Sequence, residues 1–317
     1  MNHRKRIALV TGGAGFIGSH VCEAYRDDGF EVIAVDDLSS GRRENLPEGV
    51  ELIEMDIRSD DLPALMKDRG VEIVNHHAAQ IDVRDSVARP RHDASINVDG
   101  WLNVLRSAHE AGARRVVYIS SGGVVYGEPD VMPTPERAPK APISPYGVSK
   151  LAGEHYMWFY RKIHGLEGVA LRYSNVYGPR QNPHGEAGVV ALFSRRILNG
   201  ETLRVFGDGE QTRDYVYVGD IAAANLHVSK LDSPEPETLD DVAFNVATGA
   251  ETSVLALADS IIAASGRSVD IEHAPSRPGE LDRSCLDTGK LRATGWKPEV
   301  DLEQGLRRTY DYIANHP

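Results

Sequence analysis

The chain has 317 residues, of which 26% are charged and 41% hydrophobic, and it carries a formal net charge of −12 at pH 7. These values describe a globular protein of one or two domains with a sizeable core, and the negative balance argues against nucleic acid or an anionic membrane as a general partner. The two cysteines, Cys22 and Cys285, are too few for a disulfide framework, so reduced thiols and a cytoplasmic location are expected.

The basic start, Met1 to Arg6, leads into an apolar run that glycines end within a few residues, which reads as neither a signal peptide nor a membrane anchor. Arg6-Ile7-Ala8-Leu9-Val10 is instead a short buried strand entering Thr11-Gly12-Gly13-Ala14-Gly15-Phe16-Ile17-Gly18. Gly12, Gly15 and Gly18 recur every third residue, and Gly13, Gly15 and Gly18 also satisfy Gly-x-Gly-x-x-Gly. Only glycine lets such a turn fold tightly and brings backbone amides up to a pyrophosphate at a helix start. A second strand, Glu31 to Val35, ends in Asp36, 18 residues after Gly18. An acid at that tip suits the ribose hydroxyls of an adenosine and repels an added phosphate, which predicts NAD as cofactor rather than NADP. Arg42 and Arg43 follow closely and could hold a 2′-phosphate in another arrangement.

Further strands are expected at Glu51–Met55, Ile73–His76, Arg115–Ser120 and Val169–Arg172, each separated from the last by a helix-length segment. That rhythm predicts an α/β fold with a Rossmann-type, doubly wound parallel sheet. The dinucleotide-binding domain is placed at residues 1–175. Residues 176–317, richer in glycine, proline and loops, read as a smaller mixed α/β substrate domain. The segments Tyr215–Val228 and Ala243–Val246, within a stretch at 214–248, are expected to return to the main sheet. Asp232 to Asp241 reads as a solvated acidic loop. His76 and His77 end a strand and point to opposite faces with no carboxylate or cysteine at ligand spacing, so they read as core or cofactor-lining residues, and no metal is expected.

The segment Ser144-Pro145-Tyr146-Gly147-Val148-Ser149-Lys150 carries the chemistry. Ser144 suits a helix cap and Pro145 the first helical position. Tyr146 and Lys150 then share a face, where the ammonium and the positive helix end would favour the phenolate and draw its pKa toward neutrality. This makes Tyr146 a general base for an alcohol, which speaks against a non-catalytic dinucleotide sensor.

With these motifs in order along essentially the whole chain, the sequence resembles the extended short-chain dehydrogenases/reductases, and within them the NAD-dependent nucleotide-sugar epimerases, most nearly those of UDP-glucose and UDP-galactose. The resemblance implies 4-epimerisation of a UDP-hexose through a transient 4-keto sugar, with Tyr146 and Lys150 catalytic and also facing the cofactor. It implies a cofactor site of Gly12, Gly15, Phe16, Ile17, Gly18, Asp36 and Asp37, with Asp56 and Ile57 lining the adenine, Ala78 and Ala79 the diphosphate side, Asn97 against the cofactor and Tyr173 beside the nicotinamide. Asn175 and Val189 would meet the sugar nucleotide, and Arg213 and Arg277 its phosphates, for which the guanidinium fork is well suited. Relatives of this kind carry a serine or threonine four residues before the tyrosine of Val125-Tyr126-Gly127, where this chain has Gly122. Ser121 is the expected substitute, contacting substrate. Gly123 and Val124 lack the acid of dehydrating and decarboxylating relatives. Ser284 stands where a small residue admits N-acetylated sugars. A UDP-glucuronate 4-epimerase or a nucleotide-sugar oxidoreductase of the same family stays as the alternative. A homodimer is implied, through the helix that carries Tyr146 and a second helix from Asp85 to Glu110.

Overall fold

The computed structural model describes residues 6–182, 188–232, 235–276 and 281–316. The chain divides into two compact units, one holding the residues up to Gly127 together with Pro139–Arg172 and Ala222–Phe244, the other Glu128–Ala138, Tyr173–Ile221 and the residues from Asn245 on.

The first unit is built on a seven-stranded sheet. Its strands β1 (Ile7–Thr11), β2 (Glu31–Asp36), β3 (Glu51–Glu54), β4 (Ile73–His76), β5 (Arg115–Ser121) and β6 (Glu167–Tyr173) are joined by Ala243–Val246 in the order Ala243–Val246, β6, β5, β4, β1, β2, β3. Pairing is parallel between β1 and β2, β1 and β4, β2 and β3, and β4 and β5. Alternate residues explain the apolar runs in the central strands. Leu9, Ile33, Val35 and Val74 enter one core cluster, whereas Ala8, Val10, Val32, Ala34 and Ile73 enter another. Both faces are therefore covered, as parallel sheets require.

The long helix Pro145–His164 begins as its sequence dictates. The Ser144 side chain accepts from the Gly147 amide, Pro145 opens the first turn, and Gly165 ends the helix at φ 70°. Its fit against β5 depends on Gly153, where a Cβ would come within 2.0 Å of the Tyr118 hydroxyl. Trp101 Nε1 donates to the Gly153 carbonyl at 3.0 Å, and the Tyr118 hydroxyl donates to that of Lys150 at 3.3 Å. Behind this contact Arg172 and Glu154, both fully buried, pair at 2.6 Å, and Ser120 Oγ also donates to Glu154, at 2.5 Å.

The second unit centres on the helices Val189–Leu198, Val254–Ser265 and Leu302–Asn315, whose Phe193, Ile197, Leu257, Ile261, Leu306 and Tyr310 share one core. Three sequence expectations need correction. Tyr215–Tyr217 pairs with Asn175–Tyr177 in a separate two-stranded ladder and does not join the main sheet. The following helix, Val218–Lys230, packs by that sheet through Asn225, which accepts from Asn75 at 3.0 Å. The acidic stretch is not all solvated loop: Leu239–Val242 forms a turn of 3₁₀ helix in which Asp240 meets both Arg172 and Lys140. Asp85 to Glu110 is not one helix. Pro90 lacks an amide and starts a new segment, and the stretch breaks into Val83–Ala88, Pro90–Ala94, a π-helical Ser95–Gly100 and Trp101–Glu110. No described helix is long and apolar enough to cross a membrane.

The buried ion pair gives a direct test. Arg172→Met strands the Glu154 carboxylate in the interior and is expected to cost roughly 3–5 kcal/mol, seen as a lower chemical-denaturation midpoint; adding Glu154→Gln should restore much of the loss.

Candidate active site

Gly12 closes the turn after β1 at φ +65°, and a Cβ there would lie 2.6 Å from the Ala78 amide nitrogen. A Cβ at Gly18 would approach the Gly12 carbonyl oxygen to 2.1 Å. The helix Phe16–Asp27 starts at Gly15 with no side-chain cap, which leaves the amides of its first turn, including those of Phe16, Ile17 and Gly18, for an anion. Asp36 is 7% exposed and accepts from the Ala14 amide at 3.0 Å and the Leu38 amide at 2.9 Å. Burial raises its carboxyl above the ordinary value, against those two bonds. Arg43 is held by Glu54 at 2.6 Å, and Arg42, whose amide donates to the Ala14 carbonyl at 2.9 Å, has an exposed side chain. An uncapped helix, a notch only glycine fits and an acid at the strand tip match a pyrophosphate and a free ribose, and so NAD.

The neighbouring residues divide by where their polar atoms go. Asp37 accepts from Ser39 at the surface, and Asp56 is clamped by the Arg58 guanidinium, which holds its carboxyl below the usual range. Ile57 lies against Gly100. The Ala78 amide donates to Thr11 Oγ1 at 3.3 Å, and Ala79 is half-buried beside it. Asn97, 2% exposed, spends its amide on the Gln80 backbone in both directions and on Asp93, all at 2.9 Å. It thereby fixes the loop that carries Ala78 and Ala79.

Tyr146 and Lys150 lie in this same unit. The Lys150 ammonium is 5.7 Å from the centre of the Tyr146 ring and donates to the Ile119 carbonyl at 2.9 Å. The Tyr146 amide donates to Ser86 Oγ at 3.2 Å, tying the helix start to Val83–Ala88. The expected drift of the phenol toward neutrality meets a larger opposing shift. Burial, helped by Asp93, pushes Tyr146 well above its ordinary value, while burial draws Lys150 down to about 8. Loss of hydration outweighs the nearby ammonium. Ser121 ends β5 and starts the turn Gly122–Val125 without using its hydroxyl as a cap.

The second unit holds other residues singled out by the sequence. Asn175 is exposed and its amide donates to the Asp214 carbonyl; Val189 opens a helix whose first residues carry no side-chain cap. Arg213 lies in a three-stranded ladder between Thr252 and Ser284. Beside it, Asp214 accepts from Thr248 and Gly249 amides and from the Thr248 hydroxyl, an anchor that sequence spacing did not reveal. Cys285 Sγ also faces Asp214, and burial with that carboxylate pushes its thiol up to about 12; both cysteines are buried and unpaired with one another. Tyr173 ends β6 and is buried, and Arg277 lies outside the described residues.

A tyrosine and an ammonium set on a dinucleotide-binding sheet mark the class of enzymes that move a hydride and a proton together. Within that class the chain belongs to the NAD dependent epimerase/dehydratase family, whose model matches residues 8–247. It is 42% identical to the UDP-glucose 4-epimerase of Thermotoga maritima, solved with UDP-glucose, over 98% of this chain and 99% of that one, with a TM-score of 0.91. It is also 42% identical to the Thermus thermophilus UDP-glucose 4-epimerase in complex with NAD, over 97% and 98% of the two chains, with a TM-score of 0.88. A UDP-N-acetylglucosamine 4-epimerase from Methanobrevibacter ruminantium is 35% identical, over 99% of this chain and 100% of that one, with a TM-score of 0.92.

The buried histidines at the end of β4 give this site a pH signature. His76 bonds Thr11 Oγ1 and stacks on Trp101, and burial with the Lys150 charge pushes it well down; the same causes bring His77 to about 3. Both folded pKa values lie below the ordinary 6.5, so the stability each confers is complete above that pH and lost as pH falls below it, for His77 over the range from 6.5 toward 3. The unfolding free energy should drop by roughly 1.4 kcal/mol per pH unit for each histidine. Denaturation curves from pH 7 downward test this, and His77→Gln should make the slope shallower.

Proposed function

We propose that the chain interconverts UDP-glucose and UDP-galactose by NAD-dependent 4-epimerisation, with some capacity for the N-acetyl forms. The observation that carries this reading is the Tyr146/Lys150 pair on a sheet whose glycine turn and Asp36 fit NAD. Tyr146 takes the proton of the sugar's 4-hydroxyl and later returns it, and Lys150 lends the phenolate a neighbouring positive charge. Bound NAD supplies a reversible hydride acceptor for carbon 4 and a ring whose positive charge favours the phenolate. Ser121, its hydroxyl free of the turn it begins, takes the place of the hydroxyl missing at Gly122 and bonds the sugar. Glycine and valine at 123 and 124 offer no second acid, which favours epimerisation over elimination. Gly12, Gly15, Phe16, Ile17 and Gly18 hold the pyrophosphate; Asp36 and Asp37 serve the ribose, and Asp56, Ile57, Ala78, Ala79, Asn97 and Tyr173 line the rest of the cofactor. Asn175, Val189, Arg213 and Arg277 hold the nucleotide sugar. Ser284, small and in register with Arg213, supports room for an N-acetyl group.

The same reading includes a homodimer. The helix Pro145–His164 exposes Val148, Tyr156, Phe159 and Ile163, which recur at helical spacing, and Val83 and Val87 add exposed apolar surface on a packed neighbour. A second copy covers such a stripe by two-fold symmetry. Sedimentation should give twice the chain mass, and Phe159→Lys with Ile163→Lys should give the monomer; a monomeric wild type removes this part of the proposal.

Purified protein given UDP-galactose and no added cofactor is expected to form UDP-glucose without net NADH. Tyr146→Phe should lower turnover by roughly 10²- to 10⁴-fold, and Ser121→Ala by less, on the order of tenfold. Wild-type turnover in Ser121→Ala removes Ser121 from the site. No conversion even with NAD added rejects the glucose/galactose assignment.

A further inference from the structure

A third charged side chain is built into the Tyr146/Lys150 region. Asp93, on the short helix Pro90–Ala94, is 1% exposed. Its Oδ2 accepts from Ser149 Oγ at 2.5 Å, one residue before Lys150. Its Oδ1 accepts from Asn97 Nδ2 at 2.9 Å and Gln80 Nε2 at 3.1 Å. The carboxylate thus joins the loop after β4, the π-helical turn and the helix of Tyr146 and Lys150. Three donors satisfy it, yet none is a cation, so its charge is not neutralised by a direct partner.

We propose that Asp93 is the buried counter-charge of the Tyr146/Lys150 pair, a positioning residue that keeps Lys150 an ammonium and sets the pH range in which the pair works. The inference rests on the proton-transfer role given to that pair above. A negative charge favours the ammonium and disfavours the phenolate, so it moves both titrations in the alkaline direction. Both effects of Asp93 are present: it opposes the burial that draws Lys150 down to about 8, and it adds to the burial that raises Tyr146.

Other groups around the pair are matched or kept neutral. Glu154, on the same helix, is paired with Arg172, and Asp240 with Arg172 and Lys140. Asp85 is paired with Arg89. His76 and His77 are held neutral by burial, and Tyr118 is pushed far above its ordinary value. Arg91, His92, Asp99, Arg106, His109 and Glu110, on the packed helical segments, have exposed side chains screened by water. Asp93 remains as the buried, uncompensated charge acting on both members of the pair.

The test reads Lys150 directly, without turnover, by NMR titration of protein labelled at lysine carbons, with the Lys150 signal assigned by Lys150→Met. Asp93→Asn is expected to lower the Lys150 midpoint by roughly one pH unit and to move both limbs of the pH–rate profile toward acid. Asp93→Glu keeps a carboxylate at this position and should hold the Lys150 midpoint within a few tenths of a unit of wild type. An unchanged Lys150 midpoint in Asp93→Asn overturns the proposal. If Asp93→Asn does not fold, Asp93→Ser, smaller and equally uncharged, decides: a Lys150 midpoint that stays in place is equally fatal. Failure of the epimerase reading would appear as absent sugar conversion by wild type, a result independent of where Lys150 titrates.

Discussion

The helix Pro145–His164 must lie close enough to the sheet for its charged side chains to be served by buried partners, and the rest of the catalytic unit depends on that approach. Gly153 permits it, since any side chain there would strike the Tyr118 hydroxyl. Two residues of one helix face then reach the interior four positions apart: Lys150 meets the Ile119 carbonyl, and Glu154 meets Arg172 and Ser120. A buried carboxylate and a buried ammonium are each costly alone, and their partners come from β5 and β6, the strands beside the helix. The ion pair consequently fixes the height and rotation of the helix, and with them the placement of Tyr146. The Ser86 bond to the Tyr146 amide fixes the helix start in the same way from the opposite side.

The parts legible in the sequence are those whose physics is local. The glycine turn announces itself because a positive φ and a close backbone approach allow no other residue at Gly12. The helix start at Ser144-Pro145 and the Tyr146/Lys150 spacing need only one helical turn to be read. Ile7 to Val10 in β1 and Val32 to Val35 in β2 are continuous apolar runs because these strands are buried on both faces. Tyr215–Tyr217 looks like another such run, yet a three-residue strand carries too little pattern to reveal its partner. The acidic composition of Asp232 to Asp241 likewise hides that Asp240 is needed by Arg172, 68 residues away.

Electrostatics was the least legible layer. The neighbouring ammonium and the helix end are visible in sequence and both predict an easily ionised phenol; burial is not visible, and it reverses the sign. Asp93 escaped notice for a related reason. It sits after Pro90 in a stretch without a motif, and its bonds to Gln80, Asn97 and Ser149 appear only once the π-helical turn brings Asn97 inward. Such turns interrupt a helix at some expense in hydrogen bonding and recur at functional sites. Here the wider turn lets one amide fix the loop after β4 and one carboxylate address the helix of Tyr146.

The directions of these shifts bear on how the site avoids unproductive chemistry. Burial draws Lys150 down to about 8 and raises Tyr146 well above its ordinary value, so it favours a proton on the phenol. A neutral tyrosine is a poor base, and positive charge beside the phenol counters that effect of burial. The Phe16–Asp27 helix start and Asp36 offer places for the phosphate and ribose ends of NAD, the ligand that brings such a charge. Base strength in this site therefore depends on the charges set beside the phenol, which suits a reaction in which one group must both take and return a proton. Asp93 acts with burial on the phenol and against burial on the ammonium, so the one carboxylate favours both the proton on Tyr146 and the charge on Lys150.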